Sequence, residues 1–154
     1  IRVIIVDDHD LVRNGLAVLL EAFEDLVLVG SGANGQEAVQ MCDRIETDVV
    51  LMDLVMPQMD GITATRTLRQ RHPLVQVVTL ISFGEQQLLE EVMAAGAASY
   101  VYKSAPIDHI ARAIRAAACD STSRVDTALW DAPLVPPSRE SNGNRSSSSQ
   151  APQL

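Results

Sequence analysis

The sequence predicts a doubly wound α/β domain built around a parallel β-sheet. Short runs rich in Val and Ile alternate with amphipathic segments, and no turn sequence between them is typical of a β-hairpin. The runs are apolar on both faces, as strands of a parallel sheet covered by helices on both sides must be. Because 47% of the residues are hydrophobic but only 3% are aromatic, the core is expected to be aliphatic.

The first unit is predicted as a strand over residues 1–6, which ends at an acidic pair, and a helix over about residues 10–23. The apolar side chains that we place on one face of this helix are Leu11, Val12, Leu16, Leu19 and Leu20. The second unit is predicted as a strand over residues 27–30 and a helix over residues 36–45. The turn between them is assigned to Gly32, Asn34 and Gly35.

The other three units repeat the same alternation. Their strands are predicted over residues 49–52, 75–81 and 99–102. The helices that follow are predicted over residues 61–71, 85–95 and 107–118. Pro73 closes the first of these helices, because the residue before a proline is pushed out of the helical region. Gly96 after the second is typical of a helix C-terminus.

Composition and charge exclude several classes of protein. A formal net charge of −8 argues against a surface that binds nucleic acid phosphates. No apolar run approaches the roughly 18 to 20 residues of a membrane span, and no signal peptide opens the chain. Cys42 and Cys119 lack a metal-type spacing, so free thiols in a reducing compartment are expected. We therefore expect a cytoplasmic protein, and we expect the residues of this chain to bind neither DNA nor a membrane.

The composition of the chain changes near residue 120. Residues 1–119 carry the apolar periodicity and are predicted to form the domain. Residues 120–154 are rich in Ser and Pro and include the run Ser146 to Ser149. This segment is predicted to be a tail or linker without stable structure.

Charged side chains follow three of the predicted strands. In a doubly wound sheet the ligand site lies beyond the carboxyl ends of the strands, and here those ends carry Asp7, Asp8, Asp53 and Lys103. Neighbouring carboxylates repel one another unless a cation neutralises them. Mg²⁺ suits such a set, because it takes one or two carboxylates and keeps other positions for water or a phosphate oxygen. The sequence therefore predicts Mg²⁺-dependent phosphate chemistry at this edge.

Lys103 is the only lysine among the 12 basic residues of Lys and Arg, which indicates that this position favours an ammonium. A flexible ammonium reaches a carboxylate or phosphoryl oxygen in a crowded site more easily than a planar guanidinium. Asp7 or Asp8 could instead cap the first helix. His9 either is a surface or capping residue or touches the acidic side chains. The chain has no P-loop or dinucleotide-binding motif.

Three motifs resemble one known family. They are V-D-D-H at 6–9, D-V-V-L-M-D-L-V-M-P-Q-M-D-G at 48–61 and G-A-A-S-Y-V-Y-K-S-A at 96–105. At these separations they resemble the receiver domain of bacterial two-component response regulators. The residues within the motifs are most similar to those of the LuxR/NarL-type subfamily. The resemblance covers residues 1 to about 119. It implies a flavodoxin-like (βα)5 fold with strand order 2-1-3-4-5.

The resemblance also implies a role for each site residue. Asp53 would accept a phosphoryl group from a phosphohistidine of a sensor histidine kinase. Asp8 would bind Mg²⁺ directly and Asp7 through a water, while Asp53 and the backbone carbonyl of Val55 would complete the protein ligands. Lys103 would pair with the phosphoryl group. Such a domain modifies itself and is not a multiple-turnover enzyme.

One position departs from the family pattern. The switch hydroxyl of the family, a Thr or Ser near the end of the fourth strand, falls on Ile81, which has no donor. Ser82 is predicted to point the other way, and Thr79 lies about two strand rises deeper. Tyr100 fills the position of the aromatic residue that turns inward on activation. Either Ser82 serves as the donor or the switch is weakened.

Regulators of this subfamily continue into a basic helix-turn-helix domain, for which residues 120–154 are too short and not basic enough. We therefore expect no output domain in this chain, and DNA contact only through such a domain in an intact protein. A homodimer through the fifth helix is left open, because its alanines allow close packing: Ala111, Ala113, Ala116, Ala117 and Ala118. Two alternatives stay open: a docking module that works without phosphorylation, and a small hydrolase acting on an external phosphate ester.

Overall fold

A computed structural model describes residues 1–120. Five parallel strands form one sheet in the order β2-β1-β3-β4-β5. The strands are β1 (Arg2–Val6), β2 (Val27–Gly32), β3 (Val49–Asp53), β4 (Gln76–Ile81) and β5 (Ser99–Tyr102). The helices are α1 (Asp10–Leu20), α2 (Gly35–Arg44), α3 (Gly61–Arg71), α4 (Leu89–Ala95) and α5 (Ile107–Cys119). The predicted flavodoxin-like fold and its strand order are confirmed.

The predicted tail, residues 120–154, lies outside the described residues except for Asp120, which follows α5. Within residues 1–120, no helix has both the length and the apolar character that crossing a membrane requires. Cys42 is buried and Cys119 is exposed, and both are free thiols.

The core consists of two aliphatic layers, one on each face of the sheet. Alternate strand residues point to opposite faces. Val3, Ile5 and Leu51 pack against α1 and α5, whereas Ile4 and Met52 pack against α2 and α3. All five side chains are fully buried. This two-sided burial explains why the central strands read as continuous apolar runs.

The first helix is shorter than predicted, and its buried face is narrower. It ends at Leu20, and the amides of Ala22 and Phe23 then bond to carbonyls three residues back in a tighter turn. Leu16 and Leu20 are buried, but Leu11 is 86% exposed and Leu19 is 49% exposed. The prediction that all five apolar residues share the core face was wrong, because those positions span about half of the helix circumference.

Two other boundaries differ from the prediction. The second strand continues to Gly32, so Gly32 lies with Gly30 in β2 rather than in a turn. Met41 of α2 packs over both, since a Cβ at either glycine would lie within 3.0 Å of its side chain. The predicted helix over residues 85–95 begins as a 3₁₀ turn, Gln86–Leu88, and only Leu89–Ala95 is α-helical.

Two glycines with positive φ provide a matched test of backbone strain against crowding. Gly96 (φ 112°) ends α4, and its Cβ would lie 2.6 Å from Cγ of Arg69, whereas Gly84 (φ 96°) has open space around it. We expect Gly84→Ala to lower the free energy of unfolding by about 1 to 2 kcal/mol through strain alone. Gly96→Ala should cost more, because Arg69 must also move.

The measurement is urea unfolding followed by circular dichroism. Gly15→Ala serves as the control, because Gly15 lies in α1 with nothing near its Cβ. There alanine should stabilise the domain by about 0.5 to 1 kcal/mol. Equal losses at Gly84 and Gly96 would contradict the contact with Arg69.

Candidate functional site

The acidic side chains meet at the carboxyl edge of the sheet because β1 and β3 are parallel neighbours. The last pair of this ladder joins the residues that immediately precede Asp7 and Asp53, so these two carboxylates lie side by side. Both residues are buried, with 0% and 2% of their surface exposed. Ligand atoms of Asp7, Asp8, His9 and Asp53 all lie within 4.8 Å of one another. The structure therefore brings together the three carboxylates that the sequence places at strand ends.

Lys103 reaches this cluster from the end of β5. Its Nζ lies 2.8 Å from Oδ2 of Asp7 and 3.1 Å from Oδ1 of Asp53. Its backbone N–H donates to the carbonyl of Ile81 at 2.8 Å, which fixes the start of the side chain. One strand, β4, separates β5 from β3, so a long side chain is needed to cross it. One ammonium thus pairs with two buried carboxylates and leaves one negative charge in excess.

Burial controls the protonation of the site. Removal from water, and then the charge of Asp7, raise the pKa of Asp53 to about 6, although Lys103 and the N–H of Leu54 act in the opposite direction. Burial by itself would lower the pKa of Lys103. Its contacts with Asp7 and Asp53 outweigh this and raise that pKa above its usual value. The ammonium therefore stays charged, and Asp53 is ionised at neutral pH.

The acidic cluster can hold a divalent cation. Oδ2 of Asp7 is buried and accepts no hydrogen bond of good geometry, although Lys103 lies within ion-pair distance. A buried carboxylate oxygen with unused lone pairs, beside two further carboxylates, suits a hard cation with oxygen ligands. Val55 follows Asp53 by two residues, on the connection between β3 and α3, and its side chain is 56% exposed.

His9 lies against the acidic pair. It occupies the position before α1 but makes no side-chain capping bond. Its Nδ1 lies 3.1 Å from Oδ1 of Asp7 and 3.0 Å from Oδ1 of Asp8, and its backbone N–H donates to the same Asp7 oxygen at 2.8 Å. Of the two interpretations of His9, contact with the acidic side chains is the one that the structure shows. Neither Asp7 nor Asp8 is the capping residue of α1.

Two residues that support the site, Gly61 and Arg13, were not identified from the sequence. A Cβ at Gly61 would lie 2.1 Å from the carbonyl oxygen of Asp53, and the Gly61 N–H donates to the carbonyl of Leu54 at 2.8 Å. This position therefore admits only glycine. Arg13 donates from Nη1 to the carbonyl oxygen of Asp7 at 2.6 Å. The Asp-Gly pair at 60–61 could have indicated the role of Gly61. Nothing in the sequence around Arg13 indicated its contact with Asp7.

The three residues assigned to the switch lie in different surroundings. Ile81 is fully buried and packs with Leu54, Val92 and Ala97. Tyr100 is partly buried and packs against this same cluster. Ser82 is partly exposed, and its backbone N–H donates to Oε2 of Glu85 at 2.9 Å. Their roles in switching stay predictions.

The fold and the site define an α/β domain with an acidic cluster, partly neutralised by a lysine, at the carboxyl edge of its sheet. Residues 3–115 match the family model described as the response regulator receiver domain. The chain therefore belongs to the receiver-domain family of bacterial two-component response regulators, and its LuxR/NarL-type character is supported by its relatives.

Two curated relatives illustrate the similarity. The transcriptional regulatory protein LiaR of Bacillus subtilis (strain 168) is 43% identical over 117 residues, which are 76% of this chain and 56% of LiaR. The response regulator protein VraR of Staphylococcus aureus (strain NCTC 8325 / PS 47) is 38% identical over 115 residues, 75% of this chain and 55% of VraR. The chain thus spans about half the length of these relatives.

Solved structures agree with this assignment. The signal receiver domain of the response regulator NarL from Mycobacterium tuberculosis superposes with a TM-score of 0.74 at 27% identity, covering 78% of this chain and 97% of that one. A LuxR-family two-component response regulator from Aurantimonas sp. SI85-9A1 gives a TM-score of 0.72 at 31% identity, covering 77% and 84%.

The raised pKa of Asp53 predicts a pH-dependent change in stability. The folded domain binds a proton at Asp53 more tightly than the unfolded chain, whose usual pKa is 3.8. The stabilisation that this proton provides is present below pH 3.8 and is lost as the pH rises through about 6. At pH 7 without metal, Asp53→Asn should therefore raise the free energy of unfolding, by up to about 3 kcal/mol.

The measurement is urea unfolding in EDTA at pH 7 and near pH 4, where the gain should shrink. Asp25→Asn is the control, because Asp25 is an exposed carboxylate paired with Arg115 away from the cluster. A destabilised Asp53→Asn at pH 7 would show that the ion pair with Lys103 outweighs burial.

Proposed function

We propose that this domain accepts a phosphoryl group on Asp53, with Mg²⁺ as cofactor, from a phosphohistidine of a sensor histidine kinase. One observation carries the proposal. The buried carboxylate of Asp53 lies 3.1 Å from the Lys103 ammonium and beside the carboxylates of Asp7 and Asp8. A nucleophile, a fixed positive charge and a set of cation ligands are what phosphoryl transfer requires of a protein.

The oxygens of Asp53 have different tasks in this proposal. Oδ1 accepts from the Leu54 N–H at 2.8 Å and lies near Lys103, so these two donors orient the carboxylate. Oδ2 is then the oxygen that attacks. It forms a bond to phosphorus as the phosphorus–nitrogen bond of phosphohistidine breaks, and the imidazole leaves with the electron pair. The product is an acyl phosphate on Asp53.

Charge neutralisation is the main contribution of the remaining residues. Asp8, Asp7, Asp53 and the carbonyl of Val55 would hold Mg²⁺, which when bound offsets the negative charge of the phosphoryl oxygens. Lys103 contributes a second positive charge, 3.1 Å from Oδ1 of Asp53. Because Asp7 is fully buried, its charge is weakly screened by water and favours a nearby cation strongly.

Phosphorylation would change the charge balance at the carboxyl edge of the sheet. A phosphoryl group adds about −1.5 to −2 charges and three acceptor oxygens that need donors. Lys103 is in place to pair with one of them. A nearby hydroxyl in the family serves another, and here the end of β4 offers Ser82, while Ile81 faces the apolar cluster beneath α4.

In the intact protein we propose that this event controls a LuxR-type DNA-binding domain. The curated relatives are about twice as long as the matched segment, and LiaR is described as a transcriptional regulatory protein. The domain would act in the cytoplasm, where sensor kinases donate phosphoryl groups. It would modify itself once rather than turn over an external substrate.

A second function is favoured by the surroundings of Ile81. Its side chain fills the cluster with Leu54, Val92 and Ala97 without a polar atom, so α4 packs against β4 independently of any hydroxyl. A receiver fold of this kind could dock a partner whether or not Asp53 is modified. This second proposal predicts that the partner binds the phosphorylated and the unphosphorylated domain equally well.

The phosphoacceptor role is tested by intact-mass analysis after incubation with acetyl phosphate and Mg²⁺. We expect a gain of one phosphoryl group in the chain and in the control Asp25→Asn, and no gain in Asp53→Asn. Omitting Mg²⁺ should abolish the gain, because the carboxylates then repel the phosphoryl oxygens. A gain that persists in Asp53→Asn would overturn the assignment of the acceptor.

Restoring the hydroxyl at position 81 tests the switch. Ile81→Thr should enlarge the phosphorylation-dependent chemical-shift changes of α4 amides. The threonine hydroxyl can donate a hydrogen bond to the phosphoryl group and so displace the end of β4 toward it. Ile81→Val is the matched control, since it also shortens the side chain but adds no donor. Wild-type shifts already as large as those of Ile81→Thr would show that Ser82 suffices as the donor.

A further inference from the structure

The imidazole of His9 has a place in the acidic cluster that the phosphoryl chemistry does not explain. Its Nδ1 lies 3.0 Å from Oδ1 of Asp8 and 3.1 Å from Oδ1 of Asp7. The side chain is 66% exposed, so the ring could extend into solvent without losing any capping contact. It turns instead toward two carboxylates that are candidate cation ligands.

These spacings match neighbouring ligands of an octahedral ion. Ligands that bind one ion at about 2.1 Å and at right angles lie about 3.0 Å apart. The Nδ1 atom has this separation from one oxygen of each acidic neighbour. The ligand atoms of His9 and Asp53 also fall inside the common limit of 4.8 Å. The imidazole can therefore join the carboxylates around one ion.

A nitrogen ligand changes which ions such a site prefers. Carboxylates and waters alone suit Mg²⁺, whereas imidazole suits first-row ions such as Fe²⁺ and Ni²⁺. Binding through Nδ1 leaves the proton on Nε2, at the solvent side of an exposed ring, where water can accept it. Coordination of one ion by His9 and by Oδ1 of Asp7 does not conflict with the contacts of Lys103, which approaches Asp7 through Oδ2 rather than Oδ1.

We propose that His9 is a metal ligand, and that its Nδ1 makes the acidic cluster a mixed nitrogen and oxygen site with a preference for imidazole-binding divalent ions. This proposal rests on the cation site of the proposed function and adds to it a residue that determines metal selectivity. The competing interpretation is that His9 is an imidazolium that pairs with the carboxylates and is displaced when an ion binds.

The test is calorimetric titration of the untagged, metal-free chain with Ni²⁺ and, separately, with Mg²⁺. Ni²⁺ is the probe because it favours imidazole and is less drawn than Zn²⁺ to the exposed thiol of Cys119. The test variant is His9→Gln. The matched control is His109→Gln, the same exchange at an exposed histidine of α5 that is outside the cluster.

We expect His9→Gln to weaken Ni²⁺ binding at least about tenfold and to leave Mg²⁺ binding nearly unchanged, while His109→Gln alters neither. Electron spin echo spectra of the Mn²⁺-loaded chain supply a readout that does not depend on affinity. A nitrogen coupling should be present in wild type and absent in His9→Gln.

Three results would overturn the proposal. His9→Gln could leave Ni²⁺ binding unchanged, or it could weaken both ions equally. It could also strengthen Mg²⁺ binding without affecting Ni²⁺, which would identify His9 as a competing imidazolium. In each case, Mg²⁺ binding by the wild-type chain keeps the proposed function. If neither ion binds the wild-type chain, the cation site fails as well.

Discussion

The ion pair that joins Lys103 to Asp7 and Asp53 is the interaction on which the site depends. Burial and mutual repulsion both disfavour the charges of two carboxylates that lie side by side, and Lys103 counteracts both effects. The raised pKa of Asp53 shows that one ammonium offsets this only in part. The remaining excess of negative charge makes the cluster receptive to a cation. The same imbalance keeps the pKa of Asp53, about 6, near neutral pH.

The parallel sheet turns this local chemistry into a defined geometry. Because all five strands run the same way, residues far apart in sequence leave the sheet at one edge. Adjacent strands bring Asp7 and Asp53 together, whereas Lys103 must cross β4. Gly61 allows α3 to begin directly against the backbone of Asp53. Asp53 is therefore held by rigid elements on both sides, which suits the proposed phosphoryl transfer, a reaction that needs positioning more than covalent assistance.

Position 81, the last residue of β4, is where this chain departs from the pattern of its family. Ile81 contributes apolar surface to the cluster under α4, where a hydroxyl would respond to a phosphoryl group. Burial of this aliphatic side chain stabilises the contact of α4 with the sheet, and the side chain offers no hydrogen-bond donor there. The residues of the proposed acceptor site thus agree with the family pattern, whereas position 81 departs from it. The two are in direct contact, because Leu54 packs with Ile81 and the Lys103 N–H donates to the Ile81 carbonyl.

Much of this molecule was predictable from local patterns. Apolar runs bounded by Asp, Gly and Pro predict the five strands and most helix limits, because parallel strands buried on both faces leave a strong signal. The acidic and basic residues at strand ends predict the edge where the site lies. The breadth of the buried face of α1 was not predictable, since periodicity marks apolar positions and packing decides which of them meet the sheet; Leu11 is the example.

The sequence by itself determined the fold class, the carboxyl-edge position of Asp7, Asp8 and Asp53, and the family. Only the tertiary structure decided how far each charge is removed from water, and hence the pKa of Asp53. It also decided that Met41 covers two strand glycines and that His9 turns toward the acidic pair. These features depend on distances between segments remote in the chain, or on the rotamer of one exposed side chain. Neither is encoded in a one-dimensional pattern, because both arise from competition among contacts that exist only after folding.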